Sequence, residues 1–171
     1  MLLGNREIII RLLASFIIGL LMGRERKIRN KPVGARTHIL VCLASTLITI
    51  VSAYGFKEFA GIRTMDPARL IVGVLTGMGF IGAGIIWKDN YGSIQGITTA
   101  ANVFLCACIG IAIGLGHYLP AFLTVLLAII TLEGPAYSKK ILSIKKNIIH
   151  ENALGHSWNY DEENIRQKDS K

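Results

Sequence analysis

Four ionisable residues have the types and placement to do chemistry: Glu7 and Arg11 open the first apolar stretch of the chain, and Asp66 and Arg69 open the third. A guanidinium inside a lipid-buried segment costs at least ~2.5 kcal/mol on insertion scales unless it is paired or reaches water, so Arg11 needs a partner. Asp66 is expected to supply it, with Glu7, one helical turn before Arg11, as the competitor. Asp66 can also accept from the free amides of a first helical turn, with Pro67 placed where a missing N–H costs nothing. This outer set reads either as an ion pair that fixes helices or as a functional polar site. A second, inner set is expected at the opposite end of the same segments: Arg24, Glu25, Arg26, Arg36, Thr37, His38, Thr98, Thr99 and Asn102, with Gln95 nearby. Asn102 shares a helical face with Thr98, Thr99 and Cys106, and its expected role is a hydrogen bond to a neighbouring helix.

Other chemistry finds no support. Gly77, Gly79 and Gly82 form G-x-G-x-x-G, but in mid-segment, after no strand and opening no helix, so no dinucleotide is expected there. His38, His117, His150 and His156 are scattered, and no zinc-protease motif, nucleophile elbow or triad order occurs. Cys42, Cys106 and Cys108 lie in apolar runs without C-x-x-C spacing, which excludes a zinc site or a disulfide framework and makes them small core residues. The expectation is a protein that is not an enzyme and holds no metal and no cofactor.

The elements that must position these residues are apolar helices. Of 171 residues, 51% are apolar and 18% charged, with a mean hydropathy of +0.47, which excludes an ordinary soluble domain. Five spans are expected, at about 8–23, 37–54, 67–87, 97–116 and 119–133, forming a membrane domain over 1–135. The fold class is therefore an all-α integral membrane protein, a bundle of five transmembrane helices. The net charge of +8 sits in blocks beside the spans, the pattern of positive-inside bias and anionic lipid rather than of nucleic acid. Six basic residues fall between Arg24 and Arg36, so that loop is placed inside, with the amino terminus outside and the carboxy terminus inside. Residues 136–150 alternate lysine pairs with an isoleucine stripe, either an amphipathic juxtamembrane helix or a solvated flank, and 151–171 form a polar tail expected to be disordered.

The third span, DPARLIVGVLTGMGFIGAGIIW, is expected at the centre of the bundle. At ~100° per residue, Asp66, Gly73, Gly77 and Gly84 share one face, while Ala68, Val72, Gly79 and Gly82 share the other. Small residues on two sides let helices approach from both. G-x-x-x-G also occurs at Gly19/Gly23 and Gly110/Gly114.

Four blocks in order, RLLASFIIGLLMGRERK, GARTHILVCLAS, DPARLIVGVLTGMGFIGAGIIW and GITTAANVFLCACIGIAIGLG, are similar to the membrane domain of the MgtC/SapB family of bacterial inner-membrane proteins. The resemblance covers about Arg11 to Gly116. Its motif positions fall on Arg11, Gly19, Gly23, Glu25 and Arg26, then Gly34, Arg36, Thr37 and His38. In the third block they fall on Asp66, Pro67, Arg69, Gly77, Gly79, Phe80, Gly82 and Gly84, and in the fourth on Gly96, Thr98, Thr99 and Ala100. The resemblance implies a multi-pass protein of the bacterial plasma membrane, linked to adaptation to low magnesium or acid stress and to virulence, whose best-known member restrains the F-type ATP synthase. The MgtC-like branch adds a soluble carboxy-terminal domain resembling an ACT fold. The 38 residues after Glu133 are too few to build one, so the chain resembles the shorter SapB-like form. Two functions stay open: a regulator acting by intramembrane helix contacts with a larger complex, and a small carrier or channel for an ion or solute. The expected partners are the lipid bilayer, a membrane protein and a second copy of the chain.

Overall fold

The computed structural model describes residues 3–56, 66 and 68–133. The expected loop with Lys57, Glu58 and Arg63, the role of Pro67, the basic segment 136–150 and the tail 151–171 lie outside the described residues. The chain divides into two compact units, Met1–Ile129 and Ile130–Lys171, and the account below concerns the first.

The described chain is helical apart from one short hairpin. Helix α1 spans Asn5–Ile28 and is longer than the expected first span at both ends. Arg24 to Lys27, read from sequence as part of a loop, are its last turns, because Arg, Glu and Lys are good helix formers and no breaker intervenes. The stop comes at Asn30, whose φ of 52° lies in the left-handed region, followed by Pro32. Helix α2 spans Ala35–Ile50 and continues into a single π turn, Val51–Gly55. Helix α3 spans Arg69–Ile85; its entry is fixed by Asp66, whose carboxylate accepts from the Ala68 amide at 2.8 Å. Strands β1 (Trp87–Lys88) and β2 (Ile94–Gln95) pair antiparallel, where sequence reasoning saw only a turn. The missed signal is Asp89, whose carboxylate accepts from the Tyr91 and Ser93 amides at 3.0 and 2.9 Å and closes the hairpin. Helix α4 spans Ile97–Gly114 and α5 spans Tyr118–Glu133. Two helices, Ala35–Gly55 and Ile97–Gly114, are long and apolar enough to cross a membrane, and α3 and α5 are shorter apolar helices.

The hub of the packing is α2, not α3. A Cβ on Gly19 would sit 2.7 Å from Ile39 Cα, and one on Gly23 would collide with Ala35 Cα, so α1 lies backbone to backbone against α2. On the other side a Cβ on Gly110 would sit 2.6 Å from the Cys42 carbonyl oxygen, and one on Gly114 would sit 2.6 Å from Thr49 Cβ. Both G-x-x-x-G pairs thus seat the same helix, antiparallel to α1 and parallel to α4. Around this contact Met22, Cys42, Cys106, Ile109 and Ile113 join Ala121, Val125 and Ala128 of α5 in the main core.

The expectation of a central α3 is corrected. Its one fully buried residue is Met78, which packs with Val74 and Ile85 against Val103 and Ala107 of α4. Gly73, Gly77, Gly79 and Gly84 have nothing described within 4 Å of a built Cβ, Gly82 meets only Ala100 Cβ at 3.8 Å, and Phe80 is 84% exposed. Glycine permits a close approach but does not compel one; the bulky residues of α3 gather on one side, and that side takes the contact.

These two classes of glycine separate in a stability test. Gly110→Ala and Gly114→Ala should each destabilise by about 1–3 kcal/mol through overpacking. Gly73→Ala should be neutral or stabilising by up to ~1 kcal/mol. Unfolding midpoints of the detergent-purified protein check both.

Candidate functional site

At one end of the bundle α1 delivers Arg11 into a nearly complete set of acceptors. Its Nε–H donates to Glu7 Oε1 at 3.0 Å, and Nη1 donates to the Gly114 carbonyl at 2.6 Å and to the Tyr54 hydroxyl at 3.2 Å. The guanidinium also lies 5.2 Å from the Tyr54 ring centroid, in cation–π range. Gly114 closes α4, so the cation sits on the negative end of that helix. The chain then turns at Gly116, where φ is +83° and a Cβ would stand 2.8 Å from Arg11 Nη2. Tyr118, at the start of α5, donates its hydroxyl to Glu7 Oε1 at 2.8 Å. One arginine therefore ties α1 to the ends of α2 and α4, and Glu7 extends the tie to α5.

The expected Arg11–Asp66 contact is not among these bonds; the competitor Glu7 takes the place, being on the same helix one turn away. Asp66 is exposed and serves as the cap of α3, and Arg69 is exposed as well. Sequence reasoning missed Tyr54, Tyr118 and the Gly114 carbonyl, because a helix-terminal carbonyl has no side-chain signal.

At the other end the structure gathers five of the nine residues of the expected inner set. Arg26, only 2% exposed, donates from Nη2 to Thr99 Oγ1 at 2.7 Å. Glu25 is turned inward, 2.6 Å from Arg29 Nε and 3.9 Å from Arg26 Nη1. His38 Nδ1 lies 2.9 Å from the Gly34 carbonyl, which can only accept, so Nδ1 carries the proton. Its Nε2 is then free to accept from Asn102 Nδ2 at 3.1 Å, a bond that joins α2 to α4 as expected of Asn102. Arg24, Arg36, Thr37 and Thr98 are exposed and stand outside this group. Arg26 Nε and Asn102 Oδ1 are buried without a hydrogen-bond partner among the described residues, and neither Glu25 oxygen makes a hydrogen bond of good geometry. The inner cluster thus holds polar capacity that Arg11 does not.

Between the two clusters the buried face of α2 is a seam of small polar side chains: His38, Cys42, Ser45, Thr46, Thr49 and Ser52. Thr46 Oγ1 donates to the Gly110 carbonyl of α4 at 2.9 Å, and Thr49 Oγ1 to the Ser45 carbonyl at 2.7 Å. The signal was available as Ser and Thr recurring at helical spacing on one face of an apolar segment.

Two outcomes follow from these contacts. Tyr118 first, then Arg11, holds the Glu7 carboxyl below its ordinary range. A carboxyl lowered in the folded state stabilises above its unfolded value of about 4.3 and loses that contribution as pH falls through the lowered one. The unfolding midpoint should therefore drop between about pH 5 and about pH 3, and drop less in Glu7→Gln. Thr99→Val removes an acceptor from a buried guanidinium and should cost about 1.5–3 kcal/mol in the same measurement.

Comparison with known proteins agrees with the sequence resemblance. The family model described as the MgtC family matches residues 12–140. The chain is 39% identical over 130 residues to the protein SapB of Bacillus subtilis, covering 74% of this chain and 56% of SapB. It is 45% identical over 114 residues to a protein of Escherichia coli named "Putative magnesium transporter YhiD", covering 66% of this chain and 53% of that one. To the protein MgtC of Salmonella typhimurium it is 32% identical over 110 residues, 64% of this chain and 44% of MgtC. The chain spans about half the length of these curated relatives. No solved structure matches it. With the family model matched from the first turns of α1 to beyond α5, the chain belongs to the MgtC family.

Proposed function

We propose that this chain is a multi-pass protein of the bacterial plasma membrane that regulates a larger membrane complex through helix contacts and carries out no catalysis. Five crossings, with the amino terminus outside, accommodate the described helices. Helix α1 runs antiparallel to α2 and α4, so Arg24, Arg26, Lys27, Arg29, Lys31, Arg36 and Lys88 fall at one end, against Arg6 and Arg69 at the other. That asymmetry favours the Arg26 end as the inner one.

The observation that carries the regulatory reading is the outward face of α3. In the same chain the other G-x-x-x-G pairs, Gly19/Gly23 and Gly110/Gly114, each seat a helix backbone, whereas Gly73 and Gly77 have nothing described against them. Phe80 stands out from the same helix. Open glycines in mid-helix cost roughly 0.5–1 kcal/mol each relative to Ala, which a docking helix would offset. An ATP synthase as the target, and adaptation to low magnesium or acid stress as the setting, are what the family resemblance suggests.

A carrier is the second reading. The polar seam on α2 between two buried arginines favours it, as does the name of the Escherichia coli relative. Against it stands the closeness of α4 to that seam, with Gly110 and Gly114 in backbone contact.

Mild crosslinking in native membranes followed by affinity purification distinguishes them. Gly77→Leu should lose a partner that the wild type retains, while its unfolding midpoint in detergent stays unchanged. Magnesium flux into proteoliposomes should remain at the protein-free level; a flux present in the wild type and abolished by Thr46→Val would replace the regulator with the carrier.

A further inference from the structure

A groove of about 500 Å³ lies at the junction of α1 and α2, lined by Leu20, Arg24, Lys27, Ile28 and Ala35. Its composition divides by height. Leu13, Ile17 and Leu20 recur at i, i+4 and i+7 along α1, each between 41% and 57% exposed, and form an apolar stripe leading to the groove. Arg24 and Lys27 follow on the last turns of the same helix, both exposed and neither in an ion pair. The acid of this segment, Glu25, is turned inward onto Arg29, so it does not offset their charge. Ile28, 72% exposed, and Ala35 close the groove beneath them.

An apolar track that ends in two uncompensated cations matches one kind of molecule, an amphiphile with an anionic head. We propose that this groove binds an anionic phospholipid of the inner leaflet, its phosphate held by Arg24 and Lys27 and an acyl chain laid along Leu20, Ile17 and Leu13. The proposal rests on the membrane reading above and adds a specific lipid site to it. Arg24 supplies a planar fork to phosphate oxygens and Lys27 a point charge. The exposed apolar flank of α1 needs a cover that a soluble anion cannot provide.

The test uses detergent-purified, delipidated full-length chain and native mass spectrometry, with phosphatidylglycerol, phosphatidylcholine and inorganic phosphate as probes. Phosphatidylglycerol should bind at least tenfold more tightly than phosphatidylcholine, and inorganic phosphate should not displace it. The double variant Arg24→Gln/Lys27→Gln should weaken phosphatidylglycerol by roughly tenfold or more. The control Arg36→Gln, an exposed cation outside the groove, should leave it unchanged. Equal retention by the double variant, equal binding of phosphatidylcholine, or displacement by inorganic phosphate would each overturn the site. Failure of the membrane reading is separate: it would show as release of the protein from membranes by alkaline carbonate without detergent.

Discussion

The constraint on which everything else depends is the distance between the backbones of α2 and its two neighbours. Glycines at 19, 23, 110 and 114 remove the side chains that would hold the helices apart. Only at that separation can a short hydroxyl such as Thr46 reach a carbonyl of another helix. In an apolar surround there is little hydrophobic drive between helices, so van der Waals contact and such bonds must supply the association. Close approach and polar residues are therefore one device: the first makes the second possible, and the second makes the first directional.

The ends of this contact are closed by two buried arginines in different states of satisfaction. Arg11 has a carboxylate, a hydroxyl, a helix-terminal carbonyl and an aromatic face, so its charge is shared among three helices. Arg26 has one hydroxyl, a distant carboxylate and an unused Nε. Buried charge without full compensation is costly, and proteins retain it where it does something beyond stability. The two ends are thus unequal: one is a clasp, the other a polar chamber with spare donors and acceptors.

The class of fold was readable because it rests on composition and segment length, which tertiary context does not alter. The inner cluster was readable in its types, and the structure sorts them by angle: Arg26 and Glu25 point in, Arg24 points out, though all three sit within one turn. Helix phase decides that, and a basic run carries no apolar periodicity from which to read phase. The place of α3 was misread for a related reason. Its glycines and those of α1 and α4 look alike in one dimension, and what separates them is which helix happens to bring Ala35, Ile39 or Thr49 opposite. Arg11 was correctly seen to need a partner, but most of its partners are groups that sequence does not mark.

The π turn at Val51–Gly55 makes the length of α2 matter residue by residue. Such a turn holds one residue more than an α turn would. Shortening the stretch by a single position would restore regular winding and swing everything beyond it by about 100°. Tyr54 would leave the guanidinium it now faces, although no atom of either residue had changed. The clasp at this end is in that sense a matter of counting: the chain tolerates exchange of side chains between Val51 and Gly55 more readily than gain or loss of one.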